Sequence, residues 1–129
     1  MPPTRVIFYQ DDNGDVPVWA WLQALFQQNA KAYAKCRAYL NLLAEYGHEL
    51  RRPHAENLGG GIYELRPRLG HVNYRILYFF HGQNIAVLAH ALTKEEDIPQ
   101  IDIERTLKRK EAFEHSPQWH TYERDLPYG

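Results

Sequence analysis

The stretch Gly59–Leu92, GGGIYELRPRLGHVNYRILYFFHGQNIAVLAHAL, constrains the fold of this chain more than any other. It holds three short runs rich in β-branched and aromatic residues: Ile62–Pro67, Val72–Phe80 and Ile85–Leu92. Leu69-Gly70-His71 precedes the second run, and His81-Gly82-Gln83-Asn84 precedes the third. Short runs joined by glycine-containing turns predict a meander of antiparallel strands. Side chains alternate across a strand, so Glu64 and Arg66 share one face while Tyr63 and Leu65 take the other. In the second run Arg75, Leu77 and Phe79 oppose Tyr74, Ile76, Tyr78 and Phe80. Two arginines thus sit inside apolar strands, where a charge must be paired or reach an edge.

Ahead of the meander, Arg5–Tyr9 reads as a strand and Asp11–Asp15 as a turn. Pro17 opens a helix in which Trp19, Leu22, Leu25 and Phe26 recur at helical spacing. Asn29 breaks it, and a second helix runs from Lys31 to Tyr46 with Ala32, Cys36, Tyr39, Leu40 and Leu43 as its apolar stripe. Gly47 is placed to end that helix. His48–Leu58 reads as a loop because of Pro53 and the glycines that follow, which lack the spacing of a phosphate-cradling loop. Beyond the meander, Pro99 opens a short, highly charged helix ending near Glu114. The expected fold is therefore α+β: a small, mainly antiparallel sheet, an N-terminal helical hairpin on one face, a short C-terminal helix, and the other face free. Residues 1–114 form one domain, and 115–129 an irregular acidic tail in which Trp119 and Tyr122 are the residues able to dock.

A chain of 129 residues, 44% hydrophobic, suffices for one modest core. Its net charge of −1 conceals an asymmetry: residues 51–94 carry six Lys/Arg against two acids, and residues 95–129 five against nine. A basic middle suits a polyanion; an acidic end suits solvation or a basic partner. No run is apolar enough to span a membrane, the start lacks the apolar core of a secretory signal, and the single Cys36 forms no internal disulfide, so the cytoplasm is the expected location. His48 and His54, or His115 and His120, lack the companions of a zinc site, and no metal or cofactor is expected.

Gly61-Ile62-Tyr63-Glu64-Leu65-Arg66, Tyr74-Arg75-Ile76-Leu77-Tyr78-Phe79-Phe80, Ala89-His90-Ala91-Leu92-Thr93-Lys94, Pro99 and Ile103-Glu104-Arg105 together resemble the phage-derived HigB-like branch of the RelE/ParE toxin superfamily. The resemblance spans most of residues 60–114. It implies a RelE-like fold and the toxin of a type II toxin–antitoxin pair: an endoribonuclease that cuts messenger RNA, often on the ribosome, and inhibits translation. The implied partner is a helix-turn-helix antitoxin, held in a heteromeric complex. Two other readings stand beside it: a ParE-like inhibitor of DNA gyrase, and a module that only binds its antitoxin.

Metal-free RNA cleavage uses the 2′-hydroxyl as nucleophile and needs a base, an acid and cations where phosphorane charge develops. By resemblance, Arg66, Arg75 and Lys94 are the cationic clamp, since a guanidinium stays charged and grips phosphate oxygens in pairs. On that reading, Arg75→Ala removes activity and leaves the melting temperature nearly unchanged. Glu64 and His90 are the candidate bases; the alternatives are an ion pair between Glu64 and Arg66, and a buried, satisfied His90. In several relatives a C-terminal Tyr or a His/Tyr pair transfers the proton, and Glu95-Glu96-Asp97-Ile98-Pro99 has neither. Arg68, Lys108 and Arg109 are further candidates for RNA phosphates, the latter two competing with a solvated helix face. Tyr78 is either a stacking platform for a base or core.

Overall fold

The structure, a computed structural model, describes residues 3–94 and 97–126. Its elements in chain order are β1 (Arg5–Tyr9), α1 (Pro17–Gln28), α2 (Ala30–Tyr46), β2 (Ala55–Gly59), β3 (Ile62–Leu65), β4 (Arg68–Leu69), β5 (Val72–His81), β6 (Ile85–Lys94), α3 (Gln100–His115) and β7 (Thr121–Tyr122). They form an α+β fold around a seven-stranded sheet of order β2-β3-β5-β6-β1-β7, with β4 paired to β5. The meander β3-β5-β6 is antiparallel, as its patterning predicts. β1 joins β6 in parallel, a pairing reached through the intervening helices, so the sheet is mixed.

The helical hairpin owes its sharp corner to Asn29. Its backbone N–H donates to the Leu25 carbonyl at the end of α1, and its side chain accepts from the Ala32 N–H at the start of α2. Gly47 ends α2 with φ +53°. Val18, Leu22 and Leu25 of α1, with Tyr33, Cys36, Leu40 and Leu43 of α2, pack against Phe8, Leu65, Ile76, Tyr78 and Leu88 of the sheet. Each such aliphatic side chain contributes about 1.5–3 kcal/mol on burial. That layer, not intrinsic propensity, holds a 12-residue helix such as α1 in place.

The opposite face departs from expectation. It is not free: α3 lies across it, with Phe113 buried against Phe79 at 5.5 Å between ring centroids, in a cluster with Ile7, Ile62 and Val87. Two other readings change as well. Residues 55–59 are a strand, because β2 finds its ladder partners in β3 (Ala55 opposite Leu65, Asn57 opposite Tyr63). Part of the stretch read as an irregular tail is ordered: Pro117–Trp119 form a 3₁₀ turn, His120 is buried, and β7 adds an edge to β1. Residues 123–126 carry no regular structure, and 127–129 lie outside the described residues.

One irregularity positions side chains in β6. Tyr78 pairs with Leu88 but Leu77 pairs with His90, leaving Ala89 as an extra residue in the strand. His90 and Leu92, opposite Leu77 and Arg75, consequently face α3.

Candidate nucleic-acid interface

The strand registers gather the basic residues of the middle segment at one end of the sheet. Ala55, Leu65, Ile76 and Ala91 lie in one line across β2, β3, β5 and β6. All six Lys/Arg of residues 51–94 fall on the same side of that line: Arg51 and Arg52 before β2, Arg66 after β3, Arg68 in β4, Arg75 near the start of β5 and Lys94 at the end of β6. The Arg66 N–H to His54 carbonyl bond of 3.0 Å and the Tyr74 N–H to Pro67 carbonyl bond of 2.8 Å hold this end together. Arg51, Arg52 and Arg68 are exposed and Arg66 is about a third exposed, so four guanidiniums face solvent from one end of the molecule.

Behind them runs a graded chain of ion pairs. Arg52 bonds Glu56, and Glu56 meets Arg66 at 3.2 Å. Arg66 Nε lies 3.4 Å from one oxygen of Glu64, and Arg75 donates to the other at 2.8 Å. The outer end is exposed and the inner end buried: the Arg52 side chain is 74% exposed, Glu64 2% and Arg75 9%. Arg75 is therefore not aimed outward as the second jaw of a phosphate clamp. It is the buried partner of Glu64, and alternation along single strands could not reveal this because the contact is diagonal, across β3 and β5. The structure brings Arg66, Arg75 and Glu64 together, but with Glu64 between the two guanidiniums. Glu64, engaged at both oxygens and enclosed, is closed to a substrate hydroxyl in this arrangement. The side chain of Lys94 lies outside the described residues.

His90 occupies a second polar cluster, between β6 and α3. Its Nε2 is 2.7 Å from Asp102 Oδ1, and Arg109 Nη1 lies 3.1 Å from its Nδ1. A guanidinium can only donate, so Nδ1 is the acceptor and Nε2–H donates to Asp102. The same Arg109 Nη1 donates to the Ala89 carbonyl at 2.7 Å. Burial pushes the His90 pKa below the usual histidine value; the Asp102 hydrogen bond opposes this, and Arg109 reinforces it. His90 is thus a neutral imidazole with both ring nitrogens committed, satisfied by side chains of α3. Its role as a base would require α3 to shift. Asp102 and Arg109, seven residues apart and so on one face of a helix, are the signal in the sequence that marks this lock.

Of the remaining candidates, Tyr78 is buried and stacked on Tyr63 at 5.6 Å between centroids, with burial pushing its pKa up. It belongs to the core and not to a stacking platform. Arg109 is held by Ala89, His90 and the face of Tyr9, which makes it a tether for α3 and not a free phosphate contact. Lys108 is exposed, on α3, and lines a cleft with Trp119 and His120 apart from the basic sheet end. Arg68 is exposed, with Nε bonded to the Gly70 carbonyl at 3.0 Å, which fixes its direction. Sequence reasoning missed Arg51, Arg52 and Glu56, whose position follows from β2 being a strand. They line a cleft of about 470 Å³ with Leu50, Ala55, Asn57 and Tyr63.

Among the described residues no group of three or more His, Cys, Asp or Glu is placed to hold a metal ion, and no helix is long and apolar enough to cross a membrane. Residues 21–111 match the family described as phage-derived protein Gp49-like (DUF891). No curated protein matches the chain.

Proposed function

The chain belongs to the phage-derived Gp49-like family, and from that premise we propose that it is the toxin of a type II toxin–antitoxin pair, similar to the HigB-like branch of the RelE/ParE superfamily, that cleaves messenger RNA in the cytoplasm. The observation that carries this reading is the collection of all six basic residues of segment 51–94 at one sheet end. Four guanidiniums exposed there suit successive phosphates of a single strand, on the ribosome or off it. Arg66 is the cation best placed for a reacting phosphate. It is partly exposed, and two carboxylates, Glu56 and Glu64, orient it. Arg75 acts through Glu64 as a positioning residue. In the proposed step the 2′-oxygen attacks phosphorus as its proton passes to a base, and Arg66 meets the charge that builds on the phosphorane oxygens. The bond from phosphorus to the 5′-oxygen breaks as an acid protonates that leaving oxygen, giving a 2′,3′-cyclic phosphate and a free 5′-hydroxyl.

The same end supports a helix-turn-helix antitoxin as partner. Its excess of four positive charges, six Lys/Arg against two acids, attracts an acidic antitoxin segment. Such a complex weakens with salt, because exposed charges are screened beyond about 8–10 Å at physiological ionic strength. A specific observation favours the second reading, a chain that binds gyrase or its antitoxin without cleaving: both candidate bases, Glu64 and His90, are enclosed.

The test is induced expression followed by mapping of new 5′ ends on cellular messages. Wild type is expected to generate new ends and growth arrest, and Arg66→Ala with Arg68→Ala to lose both while keeping the fold. Removing two phosphate contacts should also lower the slope of log affinity for single-stranded RNA against log salt by about 1.4–2. Growth arrest with no new 5′ ends overturns the nuclease reading and places gyrase first.

A further inference from the structure

The family match ends at residue 111, and the segment 121–126 beyond it is laid against the rest of the molecule as a strap. Thr121 and Tyr122 pair antiparallel with Tyr9 and Phe8, so among the described residues Arg5–Ile7, the first three residues of β1, make no ladder pair on that side. Tyr122 packs edge-on against Phe8 and Trp19, at 6.3 and 6.2 Å between centroids. Glu123 then meets Arg5 at 2.7 Å, Trp19 Nε1–H donates to the Asp125 carbonyl at 3.3 Å, and Leu126 rests on the core between β1 and the helical hairpin. The groove is underfilled: a cavity of about 170 Å³ remains beside Leu126, lined by Val6, Phe8, Leu40, Asn41 and Ala44.

We propose that the outer edge of β1 and the groove beside α2 are a strand-accepting site for an extended acidic segment of another protein, occupied in cis by residues 121–126. The occupant itself states the chemistry that fits: an aromatic residue, an acid facing Arg5, a cation over the Trp19 ring, a second acid and an aliphatic residue, in Tyr122-Glu123-Arg124-Asp125-Leu126. An exposed edge strand adds a partner by main-chain hydrogen bonds, and alternate side-chain pockets give the selection. The cis segment is displaceable because its hold is small and mostly at the surface: two ladder pairs, one exposed ion pair, the Trp19–Asp125 hydrogen bond, the Arg124 guanidinium over the Trp19 ring and two partly buried side chains. A partner with a larger apolar residue in place of Leu126 also fills the cavity. The site lies on the far sheet edge from β2 and does not depend on the nucleic-acid reading.

The probe is a labelled peptide of residues 119–126, added to the full chain and followed by fluorescence anisotropy. A cis competitor on a short linker acts at an effective concentration on the order of millimolar, so wild type should bind the peptide weakly. The chain carrying Tyr122→Ala and Leu126→Ala should bind it at least tenfold more tightly. A peptide with Glu123→Lys should lose about tenfold on that chain and recover when the chain also carries Arg5→Glu; a peptide with Leu126→Phe should gain affinity. If the double variant does not fold, Glu123→Ala, which removes only the exposed ion pair, carries the same comparison with an expected gain of about threefold. A folded, opened chain that ignores the peptide, or that binds a scrambled peptide equally well, overturns the proposal.

Discussion

Replacing Arg75 by alanine tests the buried end of the ion-pair chain. The guanidinium bonds Glu64 at 2.8 Å, and the two side chains are 9% and 2% exposed. Removing one partner of a buried pair typically costs about 3–5 kcal/mol, because the other charge stays desolvated and loses its compensation. Here Arg66 remains 3.4 Å from the second oxygen of Glu64, which places the cost near the low end, about 3 kcal/mol. For a domain of this size that corresponds to a fall of roughly 10 °C in melting temperature. The reading from sequence alone, with Arg75 as an outward clamp and a nearly unchanged Tm, predicts almost none. Glu64→Gln combined with Arg75→Met removes both charges and keeps most of the volume, so it should recover all but about 1 kcal/mol. Urea and thermal denaturation of wild type, both single variants and the double variant give the coupling directly. A fall below about 2 °C for Arg75→Ala, or a double variant no more stable than that single one, would refute the argument. The result also governs how toxicity is scored. Loss of growth arrest in Arg75→Ala means loss of chemistry only after correction for folded protein.

Stability should decline on acidification through His90. Its folded pKa lies below the unfolded value of about 6.5, so its contribution is intact above that pH and is lost as pH falls towards the folded pKa. His90→Gln should shrink the difference in urea midpoint between pH 7.5 and 5, and an unchanged difference would dismiss His90 as its source. Gly47→Ala places a Cβ at φ +53° and against Thr4 Oγ1, so it should cost about 2–3 kcal/mol in a denaturant melt. Gly82→Ala, at φ +66° with open space around it, should cost only about 1. Cys36, fully buried with its pKa pushed up to about 12, should react with a thiol reagent only as fast as the chain opens; rapid labelling of the native protein would contradict its place in the core.

The parts legible in the sequence are those whose signal is local. The meander is written in period-two runs cut by glycine turns, and the hairpin in apolar residues at helical spacing around Asn29. β2 escapes because Ala55-Glu56-Asn57-Leu58-Gly59 has neither alternation nor β-branched residues; its strand character comes from the partner it pairs with. The covered sheet face escapes for a related reason. α3 is dominated by charge, and Phe113 and Thr106, its two buried side chains, are too few to announce an apolar face. At the candidate site the right residue types were visible, but their arrangement was not. Alternation puts Glu64 and Arg66 on one face of β3, whereas the register between β3 and β5 decides that Arg75 reaches Glu64. His90 could be seen as a satisfied histidine, but not that α3 satisfies it.

The extra residue in β6 bears on where this chain tolerates a change of length. Turns such as His81–Asn84 can gain or lose a residue at little cost to the strands they join. Ala89 can be lost as well. With it deleted, Leu88 still stands opposite Tyr78 and His90 opposite Leu77, so the bulge closes and every residue beyond keeps its side. Loss of Ala91 is not equivalent. Leu92 then stays opposite Arg75 only if the bulge closes to set Ala89 against Leu77 and His90 against Ile76, which turns the imidazole into the apolar layer under the hairpin and away from Asp102 and Arg109. The spare residue thus confines the tolerated loss to one position in the middle of this strand, and relatives one residue shorter here should lack the bulge and keep the imidazole facing α3.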